Sequence, residues 1–177
     1  MIITDLLKFC PNCQSKLNKN NNFISCQNCS FYFYHNPCPT NGVIFYNNKK
    51  EVLLVKRKYP PKKNYFDIPG GFINLNETLE QSIFREIKEE INIEVDIKKL
   101  KYLTSTVDKY LFKKINQITL CFIFIYKISE DEVKNIKAND DVSSYKFFSE
   151  KKFPWEKIAF EGVRQVFKLF FSSFKNS

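Results

Sequence analysis

Apolar and polar positions change period along the chain, and the changes mark its elements. Val43 to Tyr46 and Val52 to Val55 are short apolar runs divided by the polar stretch Asn47-Asn48-Lys49-Lys50, a pattern that predicts a β-hairpin. Pro60-Pro61 then forces a loop. From Leu79 to Ile91 the period lengthens. Leu79, Ile83, Ile87 and Ile91 recur every fourth residue, predicting a helix with one stripe turned to the core. Runs rich in Ile, Phe and Tyr predict strands at Lys101 to Val107 and Ile118 to Ile128, with a further short strand at Tyr145 to Phe148. Trp155 to Phe174 places Ile158, Val163, Val166, Phe167, Phe170 and Phe174 at helical intervals, so the chain is expected to close on an amphipathic helix. Strands and helices mixed in this way give an α/β or α+β sandwich.

Composition adds limits to that outline. The 177 residues are 44% hydrophobic and 16% aromatic, enough apolar surface for a packed core. The longest apolar run, Leu120 to Tyr126, is far short of the roughly 20 residues that cross a bilayer, so no membrane span is expected. Met1 to Cys10 lacks a charged region followed by a long apolar stretch, and the expected compartment is the cytoplasm. The formal charge is +9, yet only Arg57, Arg85 and Arg164 among the 28 basic residues are arginines. A surface that reads base edges uses guanidinium forks, which an ammonium cannot replace. No nucleic-acid partner is expected from the charge, which follows a chain-wide bias toward Lys, Asn, Ile and Phe.

Cysteine spacing points to a separate module. Cys10, Cys13, Cys26 and Cys29 form two Cys-x-x-Cys pairs twelve residues apart, with Gln14 to Ser25 long enough for a short hairpin through Asn18 to Asn22. Four thiolates at such spacing suit one tetrahedral Zn²⁺. Two disulfides and a redox Cys-x-x-Cys are the alternatives. The lack of a secretory signal weighs against the first, and the duplication against the second. Cys38 and Cys121 remain over, Cys121 reading as a buried small hydrophobe, and His35, just outside the motif, reads as structural.

The chemistry concentrates in Asp67-Ile-Pro-Gly-Gly71 and the helix after it. Two of the four glycines, Gly70 and Gly71, stand together before a helix start, where bare backbone can approach a phosphate. On the helix, Glu86, Glu89 and Glu90 fall at i, i+3 and i+4 and share one edge, about a quarter turn from the apolar stripe. Like charges so placed repel, with Arg85 and Lys88 alone nearby to offset them. A divalent cation with a taste for hard oxygen ligands, Mg²⁺ or Mn²⁺, would convert the repulsion into a site. Residues 77 to 94 carry a net −4, which leaves +13 on the rest of the chain.

Read in order, Gly71, five residues, Glu77, seven residues, Arg85-Glu86-Ile87, one residue, Glu89-Glu90, one residue, Asn92-Ile93 resembles the signature of the Nudix hydrolases. It departs at Asn92, where that family usually has glycine, and Asn is the residue that best tolerates the left-handed conformation there. The resemblance implies a sandwich of mixed β-sheet between helices over residues 41–177, preceded by a small zinc ribbon over residues 1–40. It implies that Glu86, Glu89, Glu90 and the Gly71 carbonyl hold Mg²⁺ or Mn²⁺, and that Glu77 and Arg85 support the loop and orient the carboxylates. The reaction implied is attack of water on a diphosphate. Some relatives carry a further Glu before an aromatic pair; here Asp140-Asp141-Val142-Ser143-Ser144 precedes Phe147-Phe148, and the general base stays open.

A four-Cys ribbon ahead of such a domain resembles the NADH pyrophosphatases and a sister group acting on ADP-ribose or FAD. Residues 94–117 contain no proline, unlike the proline-rich stretch of the NADH group, so ADP-ribose or FAD, yielding AMP, is the expected substrate and NADH the alternative. Arg57, Lys62 and Lys63 are candidates to meet phosphates, Gly70 to approach them, and Tyr59, Tyr65 and Phe66 to stack a base or flavin. A reading of another class is a ribbon and Nudix module that binds a nucleotide or RNA without cleaving it. By analogy with relatives, a homodimer is possible.

Overall fold

The computed structural model describes residues 3–20 and 22–175, and of Ile3, Phe174 and Lys175 the backbone alone. The expected place of Phe174 in the apolar stripe therefore lies outside the described residues. The chain forms two compact units, one from the residues up to Cys38 together with Lys109–Thr119, the other from Pro39–Asp108 and the residues from Leu120 onward.

In the first unit, a short helix α1 (Ile3–Leu6) precedes strands β1 (Leu17–Lys19), β2 (Phe23–Cys26) and β3 (Tyr32–Tyr34), an antiparallel sheet in the order β1-β2-β3. The expected hairpin between the cysteine pairs is β1-β2, with Leu17 opposite Cys26.

The larger unit is built on a six-stranded sheet, of which the β7–β8 tip, Lys109–Thr119, counts with the smaller unit. Its strands are β4 (Cys38–Tyr46), β5 (Val52–Arg57), β6 (Phe66–Asp67), β7 (Lys101–Phe112), β8 (Ile115–Lys127) and β9 (Val142–Phe148). The order is β6-β5-β4-β8-β7, with β9 pairing antiparallel along β5 from Val52 opposite Phe148. Side chains alternate across a strand, and the core divides accordingly. Val43, Phe45, Leu53 and Val55 face Ile83, Ile87 and Ile91 of helix α2 (Leu79–Ile91). Ile44, Val52 and Leu54 face Val163, Val166, Phe167 and Phe170 of helix α4 (Glu161–Lys175). A short helix α3 (Glu130–Lys134) follows β8, its capping box closed by Ser129 and Glu132.

The predicted elements are present, with three boundaries moved. The strands expected at 101–107 and 118–128 extend to meet at Lys113 and Lys114, both at positive φ, as one long hairpin. The strand expected at Tyr145 begins at Val142, because β9 pairs along the length of β5. The closing helix does not start at Trp155. Trp155–Lys157 is one turn of 3-10 helix, and Ile158 bridges Phe66 in parallel, with the Ala159 N–H on the Phe66 carbonyl at 2.8 Å. Arg164 reaches back to the carbonyls of Trp155 and Ile158 in the segment ahead of α4. Ile158 is core, as its spacing suggested, but from extended backbone.

Candidate active site and cysteine cluster

Two glycines fix the loop that leads into α2. Gly70 has φ +137°, and a Cβ there would run into the Asn41 carbonyl of β4. At Gly71 a Cβ would stand 2.6 Å from the Glu86 carboxyl carbon. The Asn41 N–H donates to the Gly71 carbonyl at 2.9 Å and the Val43 N–H to that of Pro69 at 2.9 Å, which pins the loop to the sheet. Thr78 caps α2 through a capping box with Gln81, and Asn92 ends it at φ 59°, ψ 31°, the left-handed conformation expected of it.

Arg85 organises the acidic edge. Its Nε and Nη2 clamp the two oxygens of Glu77 at 2.6 and 2.8 Å, and Nη1 reaches Glu86 at 2.7 Å and Glu89 at 3.2 Å. Nη2 also donates to the Phe72 carbonyl at 3.1 Å, tying helix to loop. Glu77 takes the Asn74 N–H as well, and these bonds hold its carboxyl down near 2. Glu86 and Glu90 behave in the opposite way. Burial raises Glu86 despite Arg85. Glu90 is 5% exposed and is raised well above the ordinary carboxyl range, first by burial and then by Asp141, with the Gly70 N–H at 2.9 Å opposing.

Asp141 therefore belongs to the cluster. It lies within hydrogen-bonding reach of Glu90, and its charge also bears on Glu86. With Arg57, Asp67, Gly70 and Glu90 it lines a cavity of about 20 Å³, room for one water-sized group. The sequence flagged the segment before Phe147-Phe148 but gave no means of choosing between its two aspartates. Glu89 differs from its neighbours: its side chain is 48% exposed and turned toward Arg85.

The softer substrate candidates separate. Arg57 is engaged with Asp67 at 3.0 Å and the Pro61 carbonyl at 2.9 Å, and lies over the Phe160 ring. Burial pushes the Asp67 carboxyl up to about 6 against the pull of Arg57. Phe66 packs edge-on against Phe148 on the α4 side of the core. Tyr65 has the ammonium groups of Lys62 and Lys157 near its ring, at 5.4 and 5.7 Å. Lys62, Lys63 and Tyr59 are exposed. Sequence reasoning missed one link: buried Asn41 donates to buried Ser82 at 2.9 Å, and Ser82 contacts both the Phe72 carbonyl and Arg85. No local pattern signals it, since Asn41 follows Thr40 and Ser82 follows Glu80-Gln81 among other polar residues.

In the smaller unit the Sγ atoms of Cys10, Cys13, Cys26 and Cys29 all lie within 4.8 Å of one another, with Cys10–Cys29 at 3.6 Å and Cys13–Cys26 at 3.5 Å. Four thiolates about 2.3 Å from one tetrahedral metal stand roughly 3.8 Å apart, so the cluster fits a single ion. Cys121 is among the partly buried side chains of the α4-side core, and burial pushes its thiol up to about 12.

Known proteins resemble the chain in sequence and in fold. The family model described as NUDIX domain matches residues 36–170. An ADP-ribose pyrophosphatase of Methanocaldococcus jannaschii is 34% identical over 129 residues, 73% of this chain and 70% of that protein. An NAD-capped RNA hydrolase NudC of Vibrio atlanticus is 31% identical over 105 residues, where the match takes in 58% of this chain and 38% of the length of that relative. The crystal structure of a NUDIX hydrolase from Nitrosomonas europaea superposes with a TM-score of 0.61 at 25% identity, covering 92% of this chain and 89% of that one. The match over residues 36–170 takes in most of the chain, which thus belongs to the Nudix hydrolase family.

Proposed function

We propose that this protein is a divalent-metal-dependent pyrophosphohydrolase that cleaves the diphosphate of a nucleoside diphosphate derivative, ADP-ribose before FAD, and releases AMP. The observation that carries the reading is the buried carboxylate of Glu90 beside Asp141 and Glu86. Burial and mutual repulsion both oppose that arrangement, and a divalent cation with oxygen ligands relieves both. Glu86, Glu89, Glu90 and the Gly71 carbonyl would hold Mg²⁺ or Mn²⁺. Such ions neutralise a diphosphate and lower the pKa of bound water.

The chain's own residues supply the rest. Glu77 and Arg85 fix the Glu86 carboxylate, and the Gly70 N–H fixes Glu90. The Gly71 carbonyl accepts from Asn41 and keeps its second lone pair. Asp141, at the rim of the one-water cavity, is our candidate base. Lys62 and Tyr65, exposed or half-buried next to each other, are the candidates to receive phosphate and ring. The four cysteines would hold one structural Zn²⁺ in a ribbon over residues 1–40, ahead of a catalytic domain over 41–177. Free thiolates for such a site call for a reducing compartment such as the cytoplasm.

The ADP-ribose preference rests on the Methanocaldococcus jannaschii relative. NADH or NAD is the second reading; the NudC relatives, described as NAD-capped RNA hydrolases, lend it an NAD diphosphate, and the proline-free segment 94–117 stands against it. A panel of ADP-ribose, FAD, NADH and diadenosine polyphosphates with Mg²⁺ and Mn²⁺, scored by kcat/KM, tests both. Glu90→Gln is expected to lower kcat by about 100-fold or more with its circular dichroism unchanged. An equally active variant, or tight nucleotide binding with no turnover on any of the panel, would sink the enzymatic reading.

A further inference from the structure

The three-stranded sheet of the smaller unit has two unlike faces. Residues opposite each other on neighbouring antiparallel strands project to the same side. Asn18 is opposite Ser25, Ser25 opposite Tyr32, and Phe23 opposite Tyr34. Lys16, two residues before Asn18, shares its side by alternation and bridges Phe9. The other side takes Leu17, Lys19, Ile24, Cys26 and Phe33, of which Phe33 is also exposed. The first face thus gathers four aromatic rings with a lysine, an amide and a hydroxyl, and no acid.

Those rings are displayed rather than enclosed. Phe9 is 56% exposed, Tyr32 46% and Tyr34 63%. Phe23 stacks on Tyr32 with centroids 4.8 Å apart and planes 20° from parallel, and Tyr34 meets Tyr32 at 4.8 Å and 61°. A small domain gains nothing by holding three large rings in water. The surrounding charge says what they await: this unit holds Lys8, Lys16, Lys19, Lys109, Lys113 and Lys114 against the single acid Asp5, a net +5. A second copy of the chain would bring the same positive charge to the face, which repels it. A ligand that is at once flat, apolar on its faces and polyanionic satisfies both features.

We propose that this face binds single-stranded nucleic acid, bases stacking on Phe9, Tyr32 and Tyr34 and phosphates meeting Lys16 and its neighbours. A duplex hides its base faces and fits less well. The scarcity of arginine is no obstacle, because stacking takes any base and needs no bidentate reading of base edges.

The test uses the full-length, zinc-loaded chain and fluorescence anisotropy with labelled oligouridylate, oligothymidylate and a duplex, each of about a dozen nucleotides. Either single strand is expected to bind more tightly than the duplex, with affinity falling steeply as salt rises. The tighter of the two names the source as RNA or DNA. Tyr32→Ala with Tyr34→Ala is expected to weaken binding by about tenfold or more, while the matching Phe pair retains it. Hydrolysis of small nucleotides should be the same in all three proteins. If the alanine pair loses its zinc, Tyr34→Ala alone on the edge strand β3 carries the comparison. Failure of the wild type to bind, binding unchanged in the alanine variant, or a dimer that the alanine variant converts to monomer in sedimentation would each overturn the proposal.

Discussion

Asp67 is buried beside Arg57, and desolvation raises its carboxyl from 3.8 to about 6. Between those values the folded protein keeps a proton that the unfolded chain has released, so this group makes stability fall as pH rises through that window. Glu77 has the opposite sign: lowered to about 2, its contribution is full above the ordinary carboxyl value and is lost as pH falls toward 2. The expected outcome is a thermal midpoint that declines from about pH 4 to about pH 6, and a shallower decline in Asp67→Asn, read by calorimetry across that range. A variant with the same slope as wild type would assign the effect elsewhere. At this scale the acids and glycines of the loop and helix were legible in the sequence, since their chemistry resides in fixed local spacing. The engagement of Arg57 with Asp67 was not, because the substrate-facing role expected of Arg57 depended on which partner the fold brought to it.

Helix α2 shows what an element owes to its ends. Its stripe of Ile83, Ile87 and Ile91 is buried as the 3.6-residue period predicts, and a capping box of Thr78 and Gln81 closes its start. Its end rests on Asn92, whose N–H bonds the Lys88 carbonyl and whose side-chain amide bonds the Asn135 carbonyl at 3.3 Å. Left-handed backbone costs an ordinary L-residue roughly 1–2 kcal/mol. Asn92→Ala is therefore expected to destabilise by about 1 kcal/mol or more. Asn92→Gly should stay within about 0.5 kcal/mol, the relief of strain offsetting the lost amide bond. Urea unfolding of the three proteins measures this, and an alanine variant as stable as the glycine one would refute the account. The misplaced start of α4 has a related lesson. Periodicity placed Ile158 on an apolar face correctly but could not see that β6 would claim its backbone through Phe66 and Ala159.

For the whole molecule, two compact units predict separate responses to metal. Metal analysis is expected to give about one zinc per chain, lost in Cys13→Ser. A thiol-competitive chelator should remove hydrogen-exchange protection from residues 3–38 and 109–119 while leaving it on β4, β5 and α2. A zinc-free protein with Cys10 and Cys13 oxidised, or uniform loss of protection, would contradict that division. The charge imbalance noted in the sequence also has structure at this scale. The acids of residues 77 to 94 are gathered by Arg85 and burial into one cluster. The smaller unit carries lysines almost alone.

The sequence by itself determined the parts whose physics is local: the hairpin of β4 and β5, the stripe of α2 and its end at Asn92, the paired glycines, and two cysteine pairs whose turns converge on one point. Tertiary structure decided the encounters between distant segments. Asp141 reached Glu90, Asn41 reached Ser82, and Arg57 was taken by Asp67, because strand order and register set which side chains meet across the sheet. The same is true of the exposed aromatic face. Phe9, Phe23, Tyr32 and Tyr34 are scattered in the sequence, and the pairing of β2 with its neighbours is what turns them to one side.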